Sequence, residues 1–301
     1  MLQRAEALGF GPRCKATLVG AIAARALCDG AHGHVRACFE HSLYLQLGSG
    51  VLCLGAENLG AGPLNLLCTP MPEGSVRPRR NPGDAVRIEG ETLVVGELMI
   101  ELGDADPWWP APVGPWDRSS LVRGLAAGRA ALGVLQPQDG LALLAPDARS
   151  QQGSMGRVAA APIDHLGDLL RAEPTVEPDA ARIAPLIGLG PGLTPSGDDV
   201  LGGFLVALAL VGRIALRDRL WRAVHSAIAE RTTEISCAHL AAAAEGQGGA
   251  PLHSALSAIM RGASAGIEGA CVALGRVGHT SGWDALAGGL LVLEATAKVT
   301  T

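Results

Sequence analysis

Aromatic residues are scarce in this 301-residue sequence: three Phe, one Tyr and five Trp, 3% of the chain. A core of useful size must therefore be packed from Leu, Val, Ala and Ile. Lysine is scarcer still. Lys15 and Lys298 are the only lysines among 24 basic residues, which leaves 22 arginines. Beside so much Ala and Gly, that ratio is a compositional bias and carries no function. A formal net charge of −5 and a pI near 5.9 exclude the basic surface that a nucleic-acid partner requires. Seven cysteines (Cys14, Cys28, Cys38, Cys53, Cys68, Cys237 and Cys271) include no C-x-x-C pair, so zinc-type spacing is absent. An odd, scattered set of this kind reads as reduced, mostly buried thiols. Residues 1–11 lack a basic segment leading into an apolar one, so no signal peptide is expected. The longest apolar run, Val200–Gly212, is too short for the roughly 20 residues of a membrane span. A cytoplasmic protein without membrane or nucleic-acid partners is expected.

The length suits one large domain or two ordinary ones. Residues 13–31 are ambiguous between a short helix and a helix–strand pair. From His34 to Leu102 the pattern is that of strands. Arg36–Leu47 alternates, with Leu43, Leu45 and Leu47 on one face. Gly48-Ser-Gly50 turns the chain into Val51–Leu54, and Gly60-Ala-Gly-Pro63 precedes Leu64–Cys68. A second meander follows at 85–88, 92–95 and 98–102. Short strands with glycine turns point to a small barrel or sandwich. Thr69–Pro82 reads as an exposed loop whose Arg77, Arg79 and Arg80 are solvated rather than an anion site. Asp106–Pro115 reads as a hinge, with Trp108, Trp109 and Trp116 sealing a domain boundary.

After Asp117 the pattern turns helical. Asp117-Arg-Ser-Ser120 caps a helix through Leu132, and a short apolar piece follows at Leu141–Leu144. Further helices are expected at 163–172, 180–186, 199–212, 216–245 (with a break allowed), 251–274 and 283–299. The expected fold class is α+β: a β-rich N-terminal domain over 1–116 and a mainly helical domain over 117–301.

The most informative stretch is Gly188-Leu-Gly-Pro-Gly-Leu-Thr-Pro-Ser-Gly-Asp-Asp199. Four glycines and two prolines prescribe a loop, and an apolar helix follows at once. Near the C-terminus, Gly278-His-Thr-Ser-Gly-Trp-Asp284 repeats it. Ser196, Gly197, Asp199, Leu201 and Gly203 match Ser281, Gly282, Asp284, Leu286 and Gly288 at fixed spacing. Two related structural units are expected. In each, a serine and an acid three residues later form a capping-box-like start, which makes Asp199 and Asp284 the expected caps.

A helix N-terminus with glycine amides attracts anions. Gly190, Gly192, Thr194, Ser196 and Gly197, with Thr280 and Ser281 from the repeat, are therefore candidate substrate-binding residues. Asp198 has no counterpart in the repeat, where Trp283 stands, and is the first candidate catalytic acid. It would accept hydrogen bonds from a substrate NH₂, or, with Asp199, hold a Mg²⁺ ion. His279, beside a glycine at a helix start, is the second catalytic candidate. Thr232, Ser236 and His239 recur at helical spacing as a polar stripe that is either a solvent face or the lining of an inward pocket. No P-loop, G-x-S-x-G elbow or Rossmann fingerprint occurs; Pro191 spoils the likeness of Gly188–Gly192 to a dinucleotide loop.

With both motifs in hand, together with Gly60-x-Gly-Pro63, Gly83-Asp84 and Asp106-Pro-Trp108, the chain resembles a bacterial family formerly of unknown function. That family is typified by the AllH-type subunit of oxamate carbamoyltransferase in allantoin breakdown. The resemblance implies a subunit that works with companion protein subunits to move a carbamoyl group between carbamoyl phosphate and oxamate. It transfers no residue roles, and the Ser-Thr-Arg-Thr loop of ordinary carbamoyltransferases is absent. Two other readings stand beside it: a stand-alone Mg²⁺-dependent enzyme acting on a phosphorylated small molecule through Asp198 and Asp199, and a non-catalytic scaffold subunit.

Overall fold

The computed structural model of the chain describes residues 13–70, 81–135, 139–141, 153–173 and 175–298. The arginine loop at 77–80, most of the apolar piece at 141–144 and the N-terminal segment 1–11 lie outside the described residues. The chain divides into two compact units, Met1–Trp109 and Pro110–Thr301.

The first unit is a β-barrel. Its strands are β1 (Arg13–Gly20), β2 (His32–Cys38), β3 (Ser42–Leu47), β4 (Gly50–Ala56), β5 (Asn65–Thr69), β6 (Ala85–Glu89), β7 (Thr92–Val95), β8 (Leu98–Glu101) and β9 (Asp106–Trp108). A short helix, α1 (Ala21–Ala26), follows β1 directly. Residues 13–31 thus open with a strand followed by a helix, an order that neither of the two expected arrangements had. Three glycine turns make the antiparallel pairings β3–β4, β6–β7 and β7–β8 local. Closure is non-local. β1 runs antiparallel to β5 on one edge and parallel to β8 and then β9 on the other, which joins eight strands into a ring with β9 as an extension. Such closure removes the exposed edges of an open sheet. Leu43, Leu45 and Leu47 point into the barrel core with Val35, Leu52, Leu54, Leu93 and Ile100, as their alternation demands.

The second unit is helical: α2 (Arg118–Leu135), α3 (Ser154–Arg171), α4 (Ala180–Ile183), α5 (Ser196–Leu210), α6 (Ile214–Arg231), α7 (Glu234–Ala244), α8 (Ala250–Arg261), α9 (Ser264–Leu274) and α10 (Ser281–Lys298). Asp117 caps α2, its carboxylate accepting from the Ser120 amide at 2.7 Å and the Ser119 hydroxyl at 2.9 Å. The break allowed within 216–245 is present, and the helix expected over 251–274 is divided in two. Thr232, extended, ends α6, and Thr233 caps α7 through its hydroxyl and the Ser236 amide. Gly262, in the left-handed region at φ 65°, ends α8 before α9 begins. Helix α3 starts nine residues earlier than expected, at Ser154 rather than Ile163.

At the centre lies α5. Val200, Leu201, Phe204, Leu205, Ala207 and Leu208 are all fully buried, so the helix is enclosed all round. Its closest neighbour is α10, and the crossing is made by the two glycines of the repeat. A Cβ on Gly203 would sit 1.7 Å from the Ala285 carbonyl oxygen, and one on Gly288 would sit 1.9 Å from that of Val200. Val200 and Ala285 occupy equivalent places in the two motifs. The helices therefore meet backbone to backbone in a two-fold-like arrangement, and the repeat seen in sequence is a repeat in space.

Candidate functional site

The crossing brings the starts of α5 and α10 together, and with them both motif loops. The Thr194 and Ser281 hydroxyls are 3.0 Å apart, and those of Ser196 and Thr280 are 3.5 Å apart. The loop that leads into α5 holds Gly188, Gly190 and Gly192 at φ 72°, 120° and 94°, conformations that favour glycine. Gly188 also lies against the end of α6, where a Cβ would be 2.1 Å from the Arg231 carbonyl oxygen. Gly192, beyond it, faces open space.

Asp198 is 1% exposed and is the anchor of this loop. One carboxylate oxygen accepts from the Gly188 amide at 2.8 Å. The other accepts from the Ser236 hydroxyl at 2.7 Å and from the Thr232 hydroxyl. Three donors from three segments thus converge on one buried carboxylate, which ties the glycine loop to the α6–α7 junction. Thr233 adds a second tie, its hydroxyl donating to the Leu193 carbonyl at 2.5 Å. The polar stripe is therefore not one helical face: Thr232 precedes α7. It is inward nonetheless, because Thr232 and Ser236 both reach Asp198. His239 shares the α7 face of Ser236 by helical spacing, and burial pushes its imidazole down to about 4.

At α5 the expected cap is not a cap. Pro195 is the N-cap of α5 and no side chain closes it; Ser196 is already the first helical residue. The Asp199 amide donates to the Pro195 carbonyl instead. The Asp199 carboxyl points inward, where Oδ2 is sealed from solvent and has no hydrogen-bond partner among the described residues. Burial foremost, and then the negative charges of Asp284 and Asp198, push it well above the ordinary carboxylate range, against a lowering hydrogen bond from Ser281. Asp284, 0% exposed, accepts from the Leu141 amide at 2.5 Å, so it pins the 139–141 segment onto the start of α10. Gly140 permits that approach, since its Cβ would lie 2.8 Å from the Asp284 carboxylate.

Several amides at the two helix starts are already engaged. Gly197 donates to the Leu189 carbonyl at 2.9 Å, and Asp198 and Asp199 both donate to Pro195. In α10, Gly282 donates to Val277 and Asp284 to Thr280. What the outer surface offers is the hydroxyls of Thr194, Thr280 and Ser281, the Gly192 crest, and His279, with the Ser196 hydroxyl buried beneath them. The last is 80% exposed, with Nε2 3.5 Å from the equally exposed Asp139 carboxylate. As for Mg²⁺, both Asp198 oxygens are taken by N–H and O–H donors. Among the described residues no group of three or more His, Cys, Asp or Glu is arranged to hold a metal.

Sequence reasoning missed three parts: Thr233, the 139–141 segment, and the Gly203–Gly288 crossing. The matched glycines of the repeat were the available signal for the last. A cavity of about 500 Å³ elsewhere in this unit is lined in part by Trp116, Arg118, Val211 and Arg213. Its arginines serve helix ends, Arg118 donating to the Ala297 carbonyl at 2.8 Å and Arg213 to that of Leu170 at 2.9 Å. No described helix is long and apolar enough to cross a membrane.

Residues 186–293 match the family model described as oxamate carbamoyltransferase subunit AllH. The match opens just before the glycine loop and closes inside α10, so it takes in both motifs, the α6–α7 junction and the helix crossing. Over this stretch the chain is similar to that family. No curated protein and no solved structure matches the chain.

Proposed function

From the likeness of residues 186–293 to the AllH subunit family, we propose that this chain is a subunit of a carbamoyltransferase complex. It would move a carbamoyl group between carbamoyl phosphate and a small acid or amide acceptor such as oxamate, in nitrogen or purine (allantoin) catabolism in the cytoplasm. One observation carries the reading: the family match covers both motif loops, and those loops meet through the Thr194–Ser281 and Ser196–Thr280 hydroxyl contacts.

The roles divide by accessibility. Asp198 is a positioning residue, since its oxygens hold Gly188, Thr232 and Ser236. The substrate-facing groups are the Thr194, Thr280 and Ser281 hydroxyls, the Gly190–Gly192 crest and His279. A phosphate would be met by hydroxyls, because the Gly197, Asp198 and Asp199 amides of α5 are spent within the fold. Asp199, held toward its protonated form, suits a site that takes an anion, because it withholds a negative charge there.

A second reading has one observation in its favour. The saturation of Asp198 by internal partners fits a subunit whose loops are an interface rather than a reaction centre. Reconstitution with companion subunits separates the two. His279→Ala, Thr280→Val and Ser281→Ala should abolish or sharply reduce carbamoyl transfer to oxamate while co-purification of the subunits persists. Loss of co-purification would favour the interface reading. Full activity in all three variants would remove the loops from both.

A further inference from the structure

Helix α9 presents a face that the other described residues of its unit leave exposed. Glu268, Val272 and Arg276 stand four residues apart along it and its C-terminal turn, and Val272 is 44% exposed. They line a shallow groove of about 460 Å³ with Gly269 and Ala273. Space above Gly269 is open, since a Cβ there would meet nothing within 4 Å. Val277, just beyond the helix, is 41% exposed. Among the described residues neither Glu268 nor Arg276 makes an ion pair.

The order acid, apolar, base along one face is self-complementary. Four residues advance a helix by about 6 Å. When two such helices pack antiparallel about a two-fold axis at Val272, each Glu268 falls opposite the Arg276 of the other copy. The small residues Gly269 and Ala273 let the axes come close. A two-fold contact needs a patch that complements itself, and this one does so in charge. A parallel or shifted pairing would set like charges together or leave them unpaired.

We propose that α9 is the two-fold interface of a homodimer of this chain, with the Glu268–Arg276 pairs flanking a Val272–Val272 contact. One helix pair is a small interface, so association is weak and concentration-dependent, and it weakens in high salt as the ion pairs are screened.

Sedimentation equilibrium of the isolated full chain tests this over a wide concentration range. The wild type should rise from its monomer mass of 30.7 kDa toward twice that value. Val272→Glu, a change at an exposed position, should stay monomeric with an unaltered circular-dichroism melt. Glu268→Arg and Arg276→Glu should each weaken association by about tenfold or more, because each sets two like-charged pairs across the axis. The double reversal, Glu268→Arg with Arg276→Glu, restores both pairs and should recover wild-type association. A wild type that remains monomeric throughout overturns the proposal. So does a dimer indifferent to Val272→Glu, or a double reversal no better than the singles.

Discussion

Adjacent glycines in α5 should respond to alanine with opposite signs. At Gly203 a methyl group would be placed 1.7 Å from the Ala285 carbonyl oxygen, where ordinary contact begins at 3.4 Å, about twice that distance. The obstacle is backbone, so relief requires α10 to retreat along the whole crossing, and the contacts of Phe204, Leu286 and Leu290 loosen with it. Overpacking against backbone costs about 3 kcal/mol or more, and the better helix propensity of alanine returns only about 1 kcal/mol. The net loss of about 2 kcal/mol should lower the melting temperature of a unit this size by roughly 4–8 °C. At Gly202 the nearest atoms to the new methyl are the Ala243 Cβ and Leu240 Cδ2 at 3.8 Å, an ordinary distance. There only the propensity gain acts, so Gly202→Ala should raise the melting temperature by about 1–4 °C. Thermal melts followed by circular dichroism at 222 nm, on wild type and both single variants, measure this directly. Gly288→Ala should mirror Gly203→Ala across the two-fold-like crossing. Equal shifts at Gly202 and Gly203, or a stabilised Gly203→Ala, would refute the backbone-contact account of how the two motifs are joined.

Asp198→Ala should cost about 3 kcal/mol or more in urea unfolding, since the Gly188 amide and two hydroxyls lose their acceptor in a closed site; a loss under 1 kcal/mol would mean that it is not the loop's anchor. For Asp199 the folded value is raised above 3.8, so the folded state binds the extra proton and its stabilisation is lost as pH rises above that value toward and through the folded one. Asp199→Asn should flatten that decline in a melting-temperature profile from pH 4 upward, and identical profiles would count against a buried acid. His253 carries the opposite sign: burial lowers it to about 4 and Nε2 accepts from the Gly248 amide at 2.9 Å. The stability it contributes should be complete above its ordinary 6.5 and lost as pH falls through about 4, and NMR titration of its imidazole should find no charging near pH 6.5. Among the seven thiols only Cys28 is exposed, so Ellman's reagent should titrate one equivalent quickly and the others slowly.

The sequence by itself determined what depends on short-range periodicity. Alternation placed Leu43, Leu45 and Leu47 in a core, and the run from Val200 specified a helix buried on every side. The spacing of Ser-Gly-x-Asp-x-Leu-x-Gly carried two equivalent helix starts. These patterns are legible because strand and helix geometry relate neighbours in the chain in fixed ways. What depends on partners remote in sequence was decided only by packing. Residues 10, 34 and 38 positions away claim the oxygens of Asp198, and no local pattern carries that assignment. Asp199 has the spacing of a cap, yet it becomes a buried acid because Pro195 already accepts the first-turn amides and α10 closes over it. Closure of the barrel through β1 and β5 is likewise invisible until the two strands are brought side by side. The chain encodes which faces must be buried. The three-dimensional crossing of α5 and α10, made by two glycines without side chains to hold them apart, decides which polar groups meet there.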